Sequence, residues 1–284
     1  MNTSAPVDET DKAPYSMAHV FLFKQMPALD DAGGEGGFAQ RLAGRLAAQA
    51  PLVSPLTVGA LVEQDGQTHV LIGFDRHQFR LIGFAEPTDD DSVDRAIQCS
   101  HWPAEQKQAI RDHGAHLVCF YLGEHEDPGE QIIATHRLAA ALVPESLTGS
   151  VDTEAWNCVP APALGEITQP ASIGTFRESM PAGLWTGFVK LLISETEVWF
   201  CTKGMHRWNR PDLAMFGRNE ESQQIADRFF AFCNYAIAAP KPFAVGEVAD
   251  LGPDERFMLG PVTEYAEYLD SPCGTLVMQP IAPD

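Results

Sequence analysis

The chain has 284 residues, 45% of them hydrophobic, and its 19 basic and 39 acidic residues give a formal net charge of −20. This apolar content is typical of a folded globular protein and excludes a wholly disordered one. The negative charge repels phosphate backbones and anionic lipid surfaces, so we expect neither nucleic-acid nor membrane binding. The length fits one large domain or two of ordinary size.

The N-terminal sequence MNTSAPVDETDKAPYS carries more acids than bases and has no apolar segment of the kind found in signal peptides. It predicts a disordered acidic tail over residues 1–16. None of the six cysteines forms a CxxC pair, and two lie within apolar runs, so we interpret them as buried reduced thiols. Together these features predict a cytoplasmic protein.

The first half alternates between strand and helix patterns. HVFLF at 19–23 predicts a strand, and FAQRLAGRLAAQA predicts an amphipathic helix, because Phe38, Leu42 and Leu46 recur every four residues. The apolar runs LTVGALVEQ, THVLIGFD and QFRLIGFAE then predict an antiparallel meander, with an Asp-Gly hairpin turn in EQDGQ.

A helical zone at about 91–113 precedes the strand HLVCFYLG. The next helix begins in DPGE, where Asp127 is the predicted N-cap, Pro128 the first helical residue and Glu130 the third. Residues 145–183 are then rich in Pro, Gly, Ser and Thr, which favours a boundary. We divide the chain there into an N-terminal half and a C-terminal half, either separate or joined in one compact domain: 17–145 and 146–284.

In the C-terminal half, GLWTGFVKLLISE and EVWFCT predict strands, and 219–238 predicts a helix with Ile225, Phe229 and Phe232 on one face. RFMLG and TLVMQPI predict the last strands. The fold class is therefore α+β, with mostly antiparallel sheets and a few packed amphipathic helices. The similar make-up of the halves is compatible with a duplication.

No catalytic constellation emerges from the sequence. The glycine-rich AGGEGG at 32–37 lacks the spacing and the basic residue of a phosphate loop, and its acidic surroundings would repel phosphate, so we interpret it as a flexible connection. Cys201 stands near His206, but its apolar run predicts a buried thiol with a raised pKa and no reactivity. We predict no catalytic residues and no cofactor.

Histidines are frequent between 113 and 136. A metal site made from His113, His125 and Asp127 is one interpretation of this cluster. His113 and His116 form an HxxH pair, but a glycine separates them and the second begins a strand, so they need not share a helical face. We favour surface and helix-end histidines, and we predict no metal.

The stretch WFCTKGMHRWNRPDLAMFG concentrates basic and aromatic residues in an acidic chain. One interpretation is a ligand loop that acts together with Asp212, since arginine suits two-pronged recognition of carboxylate or phosphate. The other is a buried strand, a tight turn at Gly204, an anchor at Trp208 and a return strand, with the basic side chains projecting from the turn and forming exposed pairs with some of the surplus acids. The basic residues concerned are Lys203, His206, Arg207 and Arg210.

Four motifs between about 100 and 217 occur together: SHWPAEQKQAIRDHGAHLVCFYLG, DPGEQIIATHRLAAALV, LWTGFVKLL and CTKGMHRWNRPDLAM. With them the chain resembles the bacterial DUF4261 family, a domain of unknown function, and HVFLFKQMPALD is similar to that family's opening strand. The family's last motif runs Thr-x-Gly-hydrophobic, two variable residues, an aromatic and a glycine, and ends after two more residues with alternating acids and hydrophobics. The matching residues are Thr202, Gly204, Met205, Trp208, Asp212, Leu213 and Met215.

The chain departs from the family pattern at two positions. Asn209 replaces the usual glycine, and asparagine tolerates the same left-handed turn. Ala214 replaces the second acid, which weakens any catalytic role for an acidic pair. The resemblance implies a domain of the kind found at bacterial secretion and polymorphic-toxin loci, beside immunity proteins of α+β character.

These observations favour a non-enzymatic cytoplasmic binding protein, most concretely an immunity-type protein that binds and neutralises a basic toxin domain. The alternatives are an accessory or structural protein of a secretion system, and an enzyme or small-ligand binder that uses the 203–212 loop. The sequence does not indicate an oligomeric state. The predicted partner surface combines acids with two aromatic anchors: Asp250, Asp254, Glu255, Glu264, Tyr265, Glu267, Tyr268 and Asp270.

Overall fold

Two β-sheets with helices packed on their faces make up the fold of this chain. The computed structural model describes residues 17–29, 37–252 and 255–281. The predicted tail at 1–16, most of the AGGEGG loop and Asp254 lie outside the described residues. The predicted α+β class is confirmed, since the chain forms two mostly antiparallel sheets with packed helices.

The first sheet is antiparallel throughout its described strands and follows the order β2-β4-β5-β6-β1-β7-β8, with β3 also paired to β4. The predicted hairpin turn in EQDGQ is confirmed, because Asp65 and Gly66 both have left-handed backbones, with φ of 52° and 78°. The strands are β1 (Ala18–Phe23), β2 (Thr57–Val58), β3 (Val62–Gln64), β4 (Gln67–Phe74), β5 (His77–Phe84), β6 (Ala115–Tyr121), β7 (Leu147–Asp152) and β8 (Asn157–Pro160).

Helices cover both faces of this sheet. Successive side chains of β1 point to opposite faces, so alternate residues pack against different helices. Phe21 and Phe23 belong to the main core together with residues of α1 (Phe38–Gln49) and α4 (Pro128–Leu142). Val20 and Leu22 belong to a second cluster with α2 (Asp91–Cys99) and α3 (Ala104–Arg111). The predicted N-cap is confirmed, since the Asp127 carboxylate accepts a hydrogen bond from the Gly129 amide at 2.8 Å.

The second sheet follows the order β12-β13-β14-β11-β10-β9 and is antiparallel except for the parallel pair β11–β14. The helix α7 (Ser222–Ala238) packs on one face through Ile225, Phe229 and Phe232, as predicted. The short helix α8 (Ala266–Leu269) lies on the opposite face, where Leu269 contacts a small apolar cluster. The strands are β9 (Gly187–Leu192), β10 (Glu197–Lys203), β11 (Asp212–Arg218), β12 (Val248–Gly252), β13 (Glu255–Pro261) and β14 (Thr275–Pro280).

The segment at 145–183 is more ordered than its Pro- and Gly-rich composition indicates. It contains β7, β8 and two short helices, α5 (Ala161–Ile167) and α6 (Pro170–Glu178). Because β7 and β8 complete the first sheet, the chain passes to the second sheet only between residues 161 and 186, later than the boundary at 145/146. One continuous apolar core contains both Phe21 of the first sheet and Phe200 of the second. Within the described ranges, every helix is too short or too polar to cross a membrane.

Candidate functional site

The connection from β10 to β11 contains the predicted ligand loop, and its backbone makes two left-handed turns. Gly204 has φ of 116°, and a Cβ placed there would lie 2.9 Å from the carbonyl oxygen of Trp185. A short 3-10 turn over Met205–Trp208 follows. Asn209 then adopts φ of 53°, so asparagine does take the left-handed turn for which the family pattern has glycine.

Thr202 and Asp212 close the base of this loop. The Thr202 hydroxyl donates to Oδ1 of Asp212 at 3.0 Å and accepts from the Leu213 amide at 2.9 Å. The Met205 amide also donates to Oδ1 of Asp212, at 3.2 Å. Burial raises the pKa of Asp212, whose Oδ2 has no hydrogen-bond partner among the described residues. The matching motif residues therefore fix the shape of the loop.

Arg207 pairs with acids of the chain, as predicted, but its side chain is buried, so the prediction that such pairs are exposed is wrong here. Its guanidinium donates to both carboxylate oxygens of Asp152, with Nη1–Oδ2 of 2.5 Å and Nη2–Oδ1 of 2.7 Å. Nη2 also donates to Oε2 of Glu154 at 3.2 Å. The physical reason is that Asp152, at the end of β7, is a buried carboxylate and requires a cation nearby. The loop between β10 and β11 brings Arg207 to it. We call Asp152, Glu154 and Arg207 the inter-sheet clasp.

The charges of the clasp are set by burial and by Arg207. Burial opposes ionisation of Asp152, but the adjacent guanidinium outweighs it and holds the pKa of Asp152 well below its usual range. The pKa of Glu154 is also lowered, against the effect of burial, by hydrogen bonds and charges from His206 and Arg207. Burial lowers the pKa of His19, so its 3.6 Å approach to Asp152 is not an ion pair at neutral pH.

The turn that follows β7 packs tightly against the second sheet. A Cβ built on Gly187 would lie 1.8 Å from the carbonyl oxygen of Ala155, so only glycine fits at the start of β9. A Cβ built on Gly204 would also lie 3.1 Å from the Cβ of Ala155. The inter-sheet clasp therefore lies where the turn between β7 and β8 of the first sheet packs against the loop between β10 and β11 of the second.

The three other basic residues of the loop also bind groups of the same chain. Nε2 of His206 lies 3.4 Å from Oε2 of Glu154. Lys203 is buried and donates to the backbone carbonyl of Asp270 at 2.7 Å. Arg210 donates to the carbonyls of Ala236 and Ala239 at 2.8 and 2.7 Å and so caps the C-terminus of α7. Lys203 and His206 are buried as well, whereas the prediction placed their contacts at the surface.

Ala214 lies on the face of the second sheet opposite α7 and is fully buried. Its neighbours in the apolar cluster include Trp199, Cys201 and Val277. A carboxylate at this position, as the family pattern has, would be removed from water among apolar groups and would be costly. Alanine fits this cluster, which is consistent with a structural role for this part of the motif.

The structure divides the predicted partner surface into two groups. Glu264, Tyr265, Glu267 and Tyr268 are exposed on the connection from β13 to β14, and Asp270 follows them. Asp250 and Glu255 lie at the other end of β13, whose seven residues span roughly 20 Å. There Asp250 lies 4.0 Å from Arg256, and Glu255 is 2.9 Å from Arg228.

The residues of the alternative metal site each have a local hydrogen bond. His113 accepts from the Thr88 amide at 3.0 Å, and His125 accepts from the Asp127 amide at 3.2 Å. Across the described ranges, no group of three or more His, Cys, Asp or Glu residues could hold a metal ion. The prediction for Cys201 is confirmed, since burial raises the pKa of its thiol to about 12.

Sequence reasoning did not single out Asp152 and Glu154 as the partners of the loop. Asp152 is the last residue of β7 and Glu154 lies two residues later, and in the sequence both resemble many other acids of this chain. Only the pairing of β7 with β1, and the packing of its turn on β9, bring them to Arg207. A search of family models, of curated proteins and of solved structures returned no match to this chain.

Proposed function

We propose that the protein is a non-enzymatic binding protein that contacts a basic protein partner through residues 264–270, which we call the acidic tyrosine segment. The observation that carries this proposal is the exposure of two aromatic anchors among acids. Tyr268 is 52% exposed and Tyr265 37% exposed. Among the described residues, no ion pair involves Glu264 or Glu267. These carboxylates are therefore available to steer a cationic surface.

The backbone of the acidic tyrosine segment is held in place by contacts with the second sheet. Leu269 is buried in the apolar cluster of the second sheet. Lys203 donates to the Asp270 carbonyl, and the Thr275 hydroxyl donates to the Leu269 carbonyl at 2.5 Å. A segment ordered before binding loses little conformational entropy on association, and tyrosine adds contact area with few rotatable bonds. These are properties of a protein-binding surface.

The basic residues of the 203–212 loop support the same proposal. Arg207, Lys203 and Arg210 are bound to carboxylates and carbonyls of the chain itself. A ligand would have to break these contacts, so the loop is poorly suited to recognising a small anion. We favour an immunity-type protein that neutralises a basic toxin domain, because the net charge of −20 suits rapid capture of such a partner.

The test is binding to the product of the adjacent gene, measured by calorimetry at low and high salt. We expect a stoichiometric complex that weakens as salt is added. E264K/E267K should weaken it by about tenfold or more, which corresponds to about 1.4 kcal/mol. The matched control E63K/E105K makes the same charge change at exposed acids elsewhere and should alter affinity much less.

Two results would contradict the proposal. One is a complex that both double variants weaken equally, since net charge alone would then explain the binding. The other is a failure of the protein to protect cells from the neighbouring gene product when that product is toxic. The second result, with binding intact, would leave a binding protein of a different role, such as a secretion accessory protein.

A further inference from the structure

A cleft of about 290 Å³ opens between α4, the end of α6 and the C-terminal part of α7. We call it the tryptophan cleft, because the rings of Trp208 and Trp185 form part of its wall. It lies at the small end of the range typical of ligand pockets. The residues that matter for its chemistry are Asp127, Glu130, Phe176, Arg177, Glu178 and Trp208.

The aromatic wall is rigidly supported. Trp185 is 1% exposed, and the Trp208 ring packs against it in a tilted arrangement, at a ring-centroid distance of 4.2 Å and an angle of 51°. Trp208 itself is partly buried and reaches the cleft, as does Phe176. The face of an indole ring attracts cations, most strongly when the site is partly removed from water.

Carboxylates outnumber cations in the cleft by three to one. Asp127, Glu130 and Glu178 face a single basic residue, Arg177. Arg177 donates to both oxygens of Glu130, at 2.7 and 3.0 Å, which leaves the carboxylates of Asp127 and Glu178 in net excess. Asp127 accepts a hydrogen bond from the Gly129 amide at the N-terminus of α4, which compensates part of its charge, so Glu178 supplies the larger share of the excess.

The ion pair between Arg177 and Glu130 also shows which group fits here. A guanidinium already binds a carboxylate of this cleft in the two-pronged geometry that arginine favours. The Arg177 side chain is 47% exposed, whereas Glu130 is 18% exposed. Both residues line the cleft, and the carboxylate of Glu130 is the more buried partner of the pair.

Behind the cleft lies a much smaller apolar cavity that shares Ile133, Phe176 and Met180 with it. His136 lines this cavity, and neither of its ring nitrogens makes a hydrogen bond within the described part of the chain. Burial lowers the pKa of His136 to about 3, and the nearby charge of Asp152 opposes this only in part. The inner cavity is too small to hold a ligand, but the wall that it shares with the cleft is apolar, which suits an alkyl stem lying in the cleft.

We propose that the tryptophan cleft binds a guanidinium or primary ammonium group on an alkyl stem, with the cation over Trp208 and beside Asp127 and Glu178. The cation–π contact and charge-assisted hydrogen bonds supply recognition. The same chemistry occurs in free alkylguanidines and in arginine or lysine side chains of a protein. This inference does not depend on the acidic tyrosine segment.

The test compares butylguanidine with butylurea, its uncharged analogue of the same shape, by titration calorimetry and tryptophan fluorescence. Butylguanidine should bind saturably and butylurea at least tenfold more weakly. D127N/E178Q should lower the affinity for butylguanidine by about tenfold or more. Because asparagine also caps helices well, this variant keeps α4 intact. E63Q/E105Q, which neutralises two exposed acids elsewhere, is the matched control and should bind as the wild type does.

Arg177→Gln provides an independent readout, because it releases Glu130 and should tighten butylguanidine binding. Agmatine and a capped Gly-Arg-Gly peptide then distinguish the source of the cation. Tighter binding of agmatine indicates a free small-molecule cation, and tighter binding of the peptide indicates a side chain of a protein. Equal binding of butylurea, unchanged affinity in D127N/E178Q, or no binding of any cationic probe would overturn the proposal.

Discussion

Arg207 of the second sheet and Asp152 of the first form a two-pronged ion pair in which both side chains are less than a tenth exposed. The guanidinium reaches out of the loop between β10 and β11 and meets the carboxylate at the end of β7. Residues that the sequence offers as a ligand loop therefore connect the two sheets. Their burial makes the pair sensitive to the loss of either partner.

Replacing Arg207 tests the clasp directly. R207M leaves the Asp152 carboxylate buried without its cation, so we expect the free energy of unfolding to fall by about 3–5 kcal/mol. Urea unfolding measures the change. The control R218M removes an ion pair with Glu220 in which both side chains are more than two-thirds exposed, and it should cost at most about 1 kcal/mol. Equal losses in the two variants would contradict the clasp.

The double variant R207M/D152L removes both charges at once. Since the lone buried charge accounts for most of the cost, this variant should be more stable than the sum of the two single losses predicts. A double-mutant cycle in urea measures the coupling. Additive losses would mean that the two residues do not act as a pair.

Gly204 permits a second test, of the turn itself. G204A places a side chain at φ of 116° and 2.9 Å from the Trp185 carbonyl, so we expect a loss of about 1–3 kcal/mol. G44A is the control: Gly44 is exposed inside α1 and nothing lies within 4 Å of its Cβ position. There alanine should stabilise the helix by about 0.5–1 kcal/mol. Thermal unfolding should show shifts of opposite sign.

The buried histidine predicts how stability depends on pH. His136 has a folded-state pKa of about 3, mainly because of burial, whereas its ordinary value is 6.5. As the pH falls below 6.5, the unfolded chain binds the proton first. The stability that depends on a neutral His136 is therefore fully present above pH 6.5. As the pH falls from there toward about 3, the free energy of unfolding decreases progressively. The loss is on the order of 1 kcal/mol per pH unit.

H136L removes that titration. Its free energy of unfolding relative to the wild type should rise between about pH 8 and about pH 5, as measured by urea unfolding at both values. The comparison is internal, because any packing defect of leucine affects both pH values alike. A difference between variant and wild type that does not change with pH would contradict the assignment.

The cysteines predict a labelling pattern. Cys119, Cys158, Cys201 and Cys233 are buried, while Cys99 and Cys273 are partly exposed. Because thiolates are the reactive species and burial raises the pKa values of the buried thiols, a thiol reagent should modify at most two groups rapidly in the native protein. All six should react after denaturation. Rapid modification of Cys201 in the native state would contradict its assigned burial.

Local patterns predicted the elements well, because each depends on neighbours along the chain. The four-residue repeat of Phe38, Leu42 and Leu46 gave α1, and Asp127 marked the start of α4. The Asp65-Gly66 turn followed from the left-handed backbone that hairpins require. These features need no knowledge of the rest of the fold.

The direction of the basic side chains could not be predicted in this way. Arg207 is buried because Asp152, 55 positions earlier, is brought to it by strand pairing in a different sheet. The sequence shows only that acids are plentiful, and a solvated arginine is the usual case. Likewise, the tryptophan cleft joins α4, α6 and Trp208, which are far apart in sequence. Long-range pairing determines both sites.

The parallel pairing of β14 with β11 has a consequence for the order in which the protein folds. Residues 275–280 form an interior strand, flanked by β11 on one side and β13 on the other. During synthesis, β9, β10 and β11 leave the ribosome well before β14, and their exposed edge remains open until it arrives. A chain that stops before residue 275 therefore lacks the strand that joins the two parts of the sheet, and β12 and β13 have nothing to pair with except each other.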